Sequence, residues 1–237
     1  GELHLEEDMG RFAEGYRAVD ALRTEDLSSQ AEQGKRYAAY KSNRGWWKDK
    51  VACDLYVYAF FQPYQEGMKE SDIVDSQLLL KQLTSAGSSN AALEAKALGL
   101  SEREHFFHWP LEYPEVWQRG GFDVVLGNPP WERLGLEEKE FFESRSETVA
   151  TARNASARKG LIKELKESDP KLFTEYAEAL HTSEASSKYI RESGLYPLCG
   201  QGYVNLFSVF AESSRKHLSR GGRMGMVLPT GIATDDT

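Results

Sequence analysis

The sequence predicts an α/β fold in which a short parallel sheet is combined with many helices. Two runs of mostly apolar, β-forming residues, 122–126 and 224–228, lie on either side of a long stretch with helical periodicity. Two parallel strands need a crossover of a dozen or more residues between them, usually a helix. We therefore expect two neighbouring strands of a doubly wound sheet, each buried on both faces, in a chain that is helix-rich overall.

The N-terminal part of the chain has the periodicity of amphipathic helices. An apolar stripe at helical spacing runs from Phe12 to Leu22. Further helices are predicted from the same periodicity and from capping residues, at 29–42, at 46–61 before Pro63, from an N-cap at Ser71, and from Asn90 to Gly99. We interpret residues 1–104 as a helical insertion or a flanking helical region.

The character of the sequence changes near residue 105. Residues 105–117 are rich in aromatic side chains, and their prolines predict a non-helical segment. Residues 105–237 are interpreted as a partial core that carries the sheet. A helical insert at about 137–193, broken at Pro170, is expected within this core.

The composition indicates a globular chain, with 40% hydrophobic and 28% charged residues. No apolar run is long enough to span a bilayer and no secretory signal opens the chain, so we expect a cytoplasmic protein without a membrane partner. Cys53 and Cys199 form no pairing pattern, which indicates reduced thiols. Because the chain begins at Gly1 without a methionine and stops at Thr237 just after a predicted core strand, we expect an excerpt from a longer protein.

The net charge of −8 argues against binding to nucleic acid by bulk attraction alone. Two basic stretches, 35–50 and 145–166, nevertheless contain candidate nucleic-acid contacts. These candidates are Lys35, Arg36, Lys41, Arg44, Arg153, Arg158 and Lys159. In the first stretch, Tyr37, Tyr40, Trp46 and Trp47 could serve as stacking platforms. A solvated helix face above a buried tryptophan pair explains that stretch equally well.

The segment Asn128-Pro-Pro-Trp131 directly follows the first predicted strand. Ligands of open parallel sheets bind beyond the carboxyl ends of the strands, so this segment lies where a ligand is expected. Consecutive prolines present carbonyl oxygens on a stiff frame, and they push Asn128 into an extended conformation. The side-chain oxygen of Asn128 and the carbonyl oxygen of Pro129 can together accept both hydrogens of an exocyclic amine.

Such a grip predicts a particular chemistry. It draws the amine nitrogen towards tetrahedral geometry and frees its lone pair to attack a sulfonium methyl group, so no strong general base is needed before the attack. Trp131 offers a flat face on which an extruded base can stack, and a base within a duplex must be flipped to reach it. The alternative is that Asn-Pro-Pro forms only a turn. The strand before it and the aromatic residue after it favour a binding site.

Other polar groups carry weaker signals. Glu132 and Arg133 are interpreted as structural or orienting residues. A metal site formed by His105, His108, Glu112 and Glu115 is not predicted, because ligation needs convergent geometry and two prolines intervene. Aromatic packing with surface carboxylates is the favoured account of that stretch.

Four segments resemble amino-methylating DNA methyltransferases of the gamma order, specifically the large Eco57I-like restriction-modification and phage-defence enzymes. These segments are 107–116 (FHWPLEYPEV), 121–132 (GFDVVLGNPPWE), 203–207 (YVNLF) and 221–230 (GGRMGMVLPT). The second segment is the most specific. In addition, residues 48–56 resemble a helix that these enzymes place shortly before the catalytic strand.

The resemblance implies a Rossmann-like core that transfers a methyl group from S-adenosylmethionine to adenine in double-stranded DNA. It implies that Asn128, Pro129 and Trp131 hold the adenine and that Pro130 shapes the loop. The family's glycine-rich cofactor loop is missing here, because Cys199-Gly-Gln-Gly202 follows no apolar strand. We therefore expect the cofactor motif upstream of this sequence and an inactive chain in isolation. Restriction or defence-system subunits are candidate partners.

Two other functions remain open at this stage. An Asn-Pro-Pro-aromatic loop can grip any planar amide or amine, so a protein-glutamine or RNA amino-methyltransferase is one alternative. A non-catalytic helical interaction module that retains a decayed methylase core is the other.

Overall fold

The computed structural model describes residues 27–63, 68–84 and 90–234, together with residues 13, 14, 16, 17, 19 and 21. The predicted stripe residues Phe12 and Leu22 lie outside this part of the chain. The chain divides into two compact units. Unit 1 comprises residues 1–127 and 214–226, and unit 2 comprises residues 128–213 and 227–237.

Unit 1 consists mainly of helices. They are α1 (Leu27–Lys41), α2 (Arg44–Phe61), α3 (Ser76–Thr84), α4 (Ala91–Glu104), α5 (Trp109–Glu112) and α6 (Pro114–Gln118), with a 3-10 turn at Glu70–Asp72. Asn43 and Asn90 cap α2 and α4 by accepting hydrogen bonds from backbone N–H groups of the first turn. The predicted helices at 29–42 and 46–61 agree with α1 and α2 to within two residues at each end, and the predicted cap at Asn90 is confirmed.

Two predicted helix ends are wrong. Ser71 lies in the 3-10 turn, and α3 starts later, where the Asp75 carboxylate accepts a hydrogen bond from Leu78 N at 2.7 Å. Gly99 does not end α4, because the next turn carries the buried Leu100 and continues to Glu104. Burial of that apolar face outweighs the small cost of a glycine within a helix.

The aromatic stretch before the first strand is also more helical than predicted. The short helices α5 and α6 each have proline in their first turn. A first-turn N–H has no partner within a helix, so the N–H that proline lacks costs nothing there. The prolines therefore start these helices instead of preventing them.

Strands β1 (Phe122–Gly127) and β2 (Leu218–Met226) pair in parallel, as predicted. Val124 pairs with Arg223 and Leu126 with Gly225, and the register shifts between Phe122 and Val124. In the described residues this two-stranded sheet stands alone, so the structure shows a parallel α/β element within a helix-rich chain and not a complete Rossmann-like core.

The predicted burial of both strands is wrong for the described residues. Val124 is 55% exposed and Leu126 is 77% exposed, and Met224 is also exposed. The described helices pack at the start of the sheet, where the rings of Trp109, Tyr113 and Trp117 surround Phe122. The apolar β-forming residues thus predicted the two strands correctly, but they did not predict how far the strands are exposed to solvent.

The boundary between the crossover helix and β2 also differs from the prediction. Helix α11 (Leu206–Lys216) ends before Gly221-Gly222, and β2 runs through both glycines. A Cβ at Gly222 would lie 2.7 Å from the carbonyl oxygen of Phe122. The glycine therefore permits close approach of the two strands.

Unit 2 contains the helices that follow β1 along the chain. They are α7 (Glu138–Glu143), α8 (Glu147–Ala150), α9 (Ala155–Ser168), α10 (Pro170–Glu192), the first part of α11, and α12 (Gly231–Thr234). The predicted break at Pro170 is confirmed, since Asp169 caps α10. One core cluster is centred on Phe142 and Tyr176, and another on Ile190 and Val204. No described helix is both long and apolar enough to cross a membrane.

Candidate functional site

The corner that follows β1, residues 128–131, belongs to unit 2. Pro129 is buried, whereas Asn128 and Pro130 are exposed. Among the described residues, none forms a hydrogen bond with the Asn128 amide. A buried proline therefore anchors the corner while the amide next to it remains available to a ligand.

Trp131 combines an exposed ring with a fixed edge. The side chain is 54% exposed, and its indole Nε1 donates a hydrogen bond to the carbonyl oxygen of Val227 at 3.4 Å. Val227 directly follows β2. The bond restricts rotation of the indole without covering its face, as a stacking platform requires.

A short antiparallel ribbon connects this corner to the segment 203–206. Arg133 pairs with Asn205, and two backbone hydrogen bonds of 3.0 Å join Leu134 N to Val204 O and Leu206 N to Glu132 O. The resembling segment YVNLF thus supports the chain immediately after Trp131.

The ribbon also carries an exposed aromatic side chain. Tyr203 is 77% exposed, and the Arg133 guanidinium lies 5.7 Å from the centre of its ring. At this distance the cation interacts with the face of the ring. Arg133 is itself exposed, so its charge is accessible to solvent.

A buried carboxylate holds the loop that leads to Tyr203. Glu212 accepts hydrogen bonds from Leu198 N at 3.1 Å and from Cys199 N at 3.0 Å. A Cβ at Gly200 would lie 2.6 Å from Tyr196 O, so the loop needs glycine there. The segment Cys199–Gly202 is therefore a structural turn around Glu212, a role that no sequence motif predicted.

The first basic stretch is only partly available to a ligand. Lys41 pairs with Glu112 at 2.9 Å, and Arg36 pairs with Glu32 at 3.3 Å. Lys35 and Arg44 are exposed. These four cations belong to unit 1, whereas the corner 128–131 belongs to unit 2.

The aromatic residues of the same stretch divide into two groups. Tyr40 and Trp46 are buried, and both donate hydrogen bonds of 3.1 Å to the carbonyl oxygen of Leu111. These two rings therefore pack in the core and are not stacking platforms. Trp47 is exposed, so the predicted buried tryptophan pair is half right.

The second basic stretch surrounds the start of α9. Arg153 and Lys159 are exposed, and Arg158 is partly buried. These side chains belong to the same unit as the corner 128–131. Among the described residues, no hydrogen bond or ion pair joins these side chains to the corner.

A buried polar cluster joins the two resembling segments 48–56 and 107–116. The fully buried Asp54 carboxylate lies 2.5 Å from Lys50 Nζ, 3.0 Å from Ser101 Oγ and 2.7 Å from His108 Nε2. A buried charge needs such partners to offset its desolvation. No sequence motif predicted this cluster, and the four-residue spacing of Lys50 and Asp54 on a helix was its only visible signal.

The ionisable groups of the same segment have partners within unit 1. His108 is engaged by Asp54, and Glu112 accepts hydrogen bonds from Lys41 and from the Tyr37 hydroxyl. Burial, followed by the bond to Glu112, raises the pKa of Tyr37. Among the described residues, no group of three or more ligand-type side chains converges as a metal site requires.

Comparison with known proteins identifies the segment that contains the corner. Residues 62–160 match the family model of the Eco57I restriction-modification methylase. This range includes the segment 107–116, strand β1 and the corner 128–131. The chain has no significant match among curated proteins or solved structures. The match supports a methyltransferase of the restriction-modification type in general. The resemblance predicted from the sequence is thus confirmed over residues 62–160, which match the Eco57I restriction-modification methylase family model.

Proposed function

We propose that this chain is part of a site-specific DNA adenine methyltransferase of a restriction-modification or phage-defence system. In this proposal it acts in the cytoplasm, and S-adenosylmethionine supplies an electrophilic methyl group to an adenine flipped out of double-stranded DNA. The supporting observation is the corner 128–131, where an exposed amide stands beside a buried proline and an exposed indole.

The proposed work of the corner is to hold the exocyclic amine of the flipped base. The Asn128 side-chain oxygen and the Pro129 carbonyl oxygen accept its two hydrogens, which directs the nitrogen lone pair away from the ring plane. Trp131 stacks on the base, and Pro130 keeps the loop stiff. The proton leaves after methyl transfer, so no general base is assigned.

The described residues do not fit the role of a cofactor loop. The backbone N–H of Cys199, in the one GxG segment that follows the corner, is already bonded to Glu212. We therefore propose that the full-length protein holds S-adenosylmethionine with residues outside this sequence.

The proposed organisation keeps residues 1–104 as a helical region beside a partial core at 105–237, with a helical insert at about 137–193. The exposed cations Lys35, Arg44, Arg153 and Lys159 are proposed to contact the DNA backbone. Arg36 is also exposed and is proposed with them, whereas Lys41 and Arg158 are partly buried and are expected to contribute less.

The deciding experiment measures methyl transfer by the full-length protein with Asn128→Ala. We expect a loss of activity on duplex DNA of about a hundredfold or more, which is the usual effect of removing one preorganised polar group from a transition state. Circular dichroism and duplex affinity should change little, because Asn128 is exposed. The matched control is Gln201→Ala, which removes an exposed amide from the same unit.

The choice of acceptor distinguishes the proposal from its alternatives. Methylation of duplex DNA, with none of RNA or of a glutamine-containing peptide, supports the adenine methyltransferase. Full turnover by Asn128→Ala would contradict the role of the corner. Methylation of peptide or RNA instead of DNA would change the proposed substrate, but it would retain the proposed role of the corner in holding a planar amide or amine.

A further inference from the structure

Tyr203 and Arg133 form an accessible aromatic and cationic pair that the proposed grip on the adenine does not use. Tyr203 is more exposed than Trp131, at 77% compared with 54%. Arg133 lies over its ring and forms no ion pair with the described residues. Exposing an aromatic ring of this size to water is unfavourable, so a ligand that covers it would gain binding energy.

The backbone beneath Tyr203 is held from both sides. Val204 O accepts a hydrogen bond from Leu134 N at 3.0 Å, and Gly202 O accepts one from Arg191 Nη2 at 2.8 Å. The loop before them is fixed on the buried Glu212 carboxylate. An exposed ring on a preorganised backbone loses little conformational entropy when it binds a ligand.

The register of the ribbon places Trp131 and Tyr203 on opposite sides of the bridge between Arg133 and Asn205. Arg133 and Asn205 are directly opposite each other, and Tyr203 lies two residues from Asn205, the spacing that returns a side chain to the same face. Trp131 precedes Arg133 by the same spacing. The resulting order along the ribbon is the aromatic ring of Trp131, the cation of Arg133 and the aromatic ring of Tyr203.

We infer that Arg133 and Tyr203 hold the nucleotide next to the extruded base, with Tyr203 stacked on that neighbouring base and Arg133 on the phosphate between the two. The inference rests on the proposed function, because Trp131 takes the target base. Aromatic side chains interleaved with a cation are the arrangement that tracks a single nucleic-acid strand. Guanidinium also suits phosphate because it remains charged and donates in a planar fork.

Stacking of this type tolerates any base, so it can be tested without knowledge of the recognition sequence. The probes are a fluorescent 12-nucleotide oligothymidylate and a 30-base-pair duplex with a central mismatch of 2-aminopurine and thymine. Binding to the full-length protein is measured in the Asn128→Ala background, which separates it from catalysis.

Tyr203→Ala is expected to weaken binding of both probes between about 5-fold and about 100-fold, which corresponds to the loss of one base–aromatic stack. Tyr203→Phe should retain affinity within about twofold, because the ring is preserved. Arg133→Ala should reduce the slope of log affinity against log salt by the amount that corresponds to the loss of about one phosphate contact. Arg133→Lys retains the charge and should restore that slope. Leu198→Ala, which removes an exposed apolar side chain from the same loop, is the matched control and should leave affinity unchanged.

Equal affinities of the Tyr203→Ala and parent proteins for both probes would overturn the inference. So would an equal loss in the Leu198→Ala control, since the effect would then not be specific to the ring. If Asn128→Ala abolishes methylation but Tyr203→Ala changes neither binding nor KM, the inference fails and the proposed function stands. If the protein methylates no DNA but binding still depends on Tyr203 and Arg133, the nucleotide site stands and the proposed function fails.

Discussion

At the scale of single residues, different side chains of the corner 128–131 anchor the loop and face a ligand. Pro129 is buried and holds the loop, while Asn128 is exposed beside it. The indole of Trp131 is held by one hydrogen bond at its edge and is open on its face. These environments agree with the requirements of a base-binding corner, although the residue types alone had predicted only their chemistry.

The environment of Trp131 yields a prediction about base capture. Trp131→Ala should reduce the extruded fraction of a 2-aminopurine placed at the target by about 5- to 100-fold, because one stack is lost. Trp131→Phe should have a smaller effect, since a ring remains but the bond to Val227 O is absent. Fluorescence of the 2-aminopurine on binding to the full-length protein measures both.

Thermal unfolding provides the control for this prediction, and it should change little in either variant because the indole is about half exposed. Phe107→Ala removes another exposed ring and should leave the fluorescence unchanged. Undiminished base capture by Trp131→Ala would remove this residue from the proposed site.

At the scale of elements, the first strand is positioned by a glycine turn. Gly121 has a φ of 119°, and a Cβ on it would lie 2.6 Å from His217 O and 2.7 Å from Ser219 N. Phe122 N donates a hydrogen bond of 2.8 Å to the same His217 carbonyl. The absence of a side chain at Gly121 therefore permits β1 to pair with the start of β2.

Substitution at this turn should separate steric from conformational effects. Gly121→Ala is expected to destabilise the protein by about 3 kcal/mol or more, because the left-handed backbone is strained and the added methyl clashes with backbone that cannot move alone. Gly120→Ala, at φ 89° but with open space around its Cβ position, should cost only about 1–2 kcal/mol. Urea denaturation of both variants provides the comparison, and equal losses would show that the close contact is unimportant.

At the scale of the whole molecule, a histidine between α11 and β2 makes stability depend on pH. The His217 ring packs against Trp109 and Trp117, and burial, with a smaller effect of Lys216, lowers its pKa from the usual 6.5. The folded protein therefore prefers the neutral imidazole, whereas the unfolded chain protonates near its ordinary pKa. The stabilisation is fully present above about pH 6.5 and is lost as the pH falls through the lower pKa of the folded state.

This dependence can be isolated by substitution. The free energy of unfolding should decrease as the pH falls from about 7 to about 5, and His217→Phe should remove that part of the decrease because its ring cannot be protonated. The control His181→Gln replaces an exposed histidine and should retain the slope. Urea denaturation at several pH values measures this pH dependence of the free energy of unfolding. An unchanged dependence in His217→Phe would show that His217 does not cause the decrease.

The sequence by itself determined the local and chemical features of this protein. Helical periodicity and caps predicted α1, α2 and the start of α4, and apolar β-forming runs predicted the two strands and their parallel pairing. The segment 121–132 predicted the family that the match at residues 62–160 confirms. These features follow from neighbouring residues, because caps, periodicity and a strand–corner motif depend on nearby side chains.

Only the tertiary structure decided which polar and aromatic groups have partners. Asp54 meets Ser101 and His108, which lie far from it in sequence, and Glu212 holds a loop that lies 13 to 14 residues before it. The exposed pair of Tyr203 and Arg133 arises in the same way, from a ribbon that joins two distant segments. Spacing along a chain contains no information about such contacts, because burial and pairing depend on how separate elements pack.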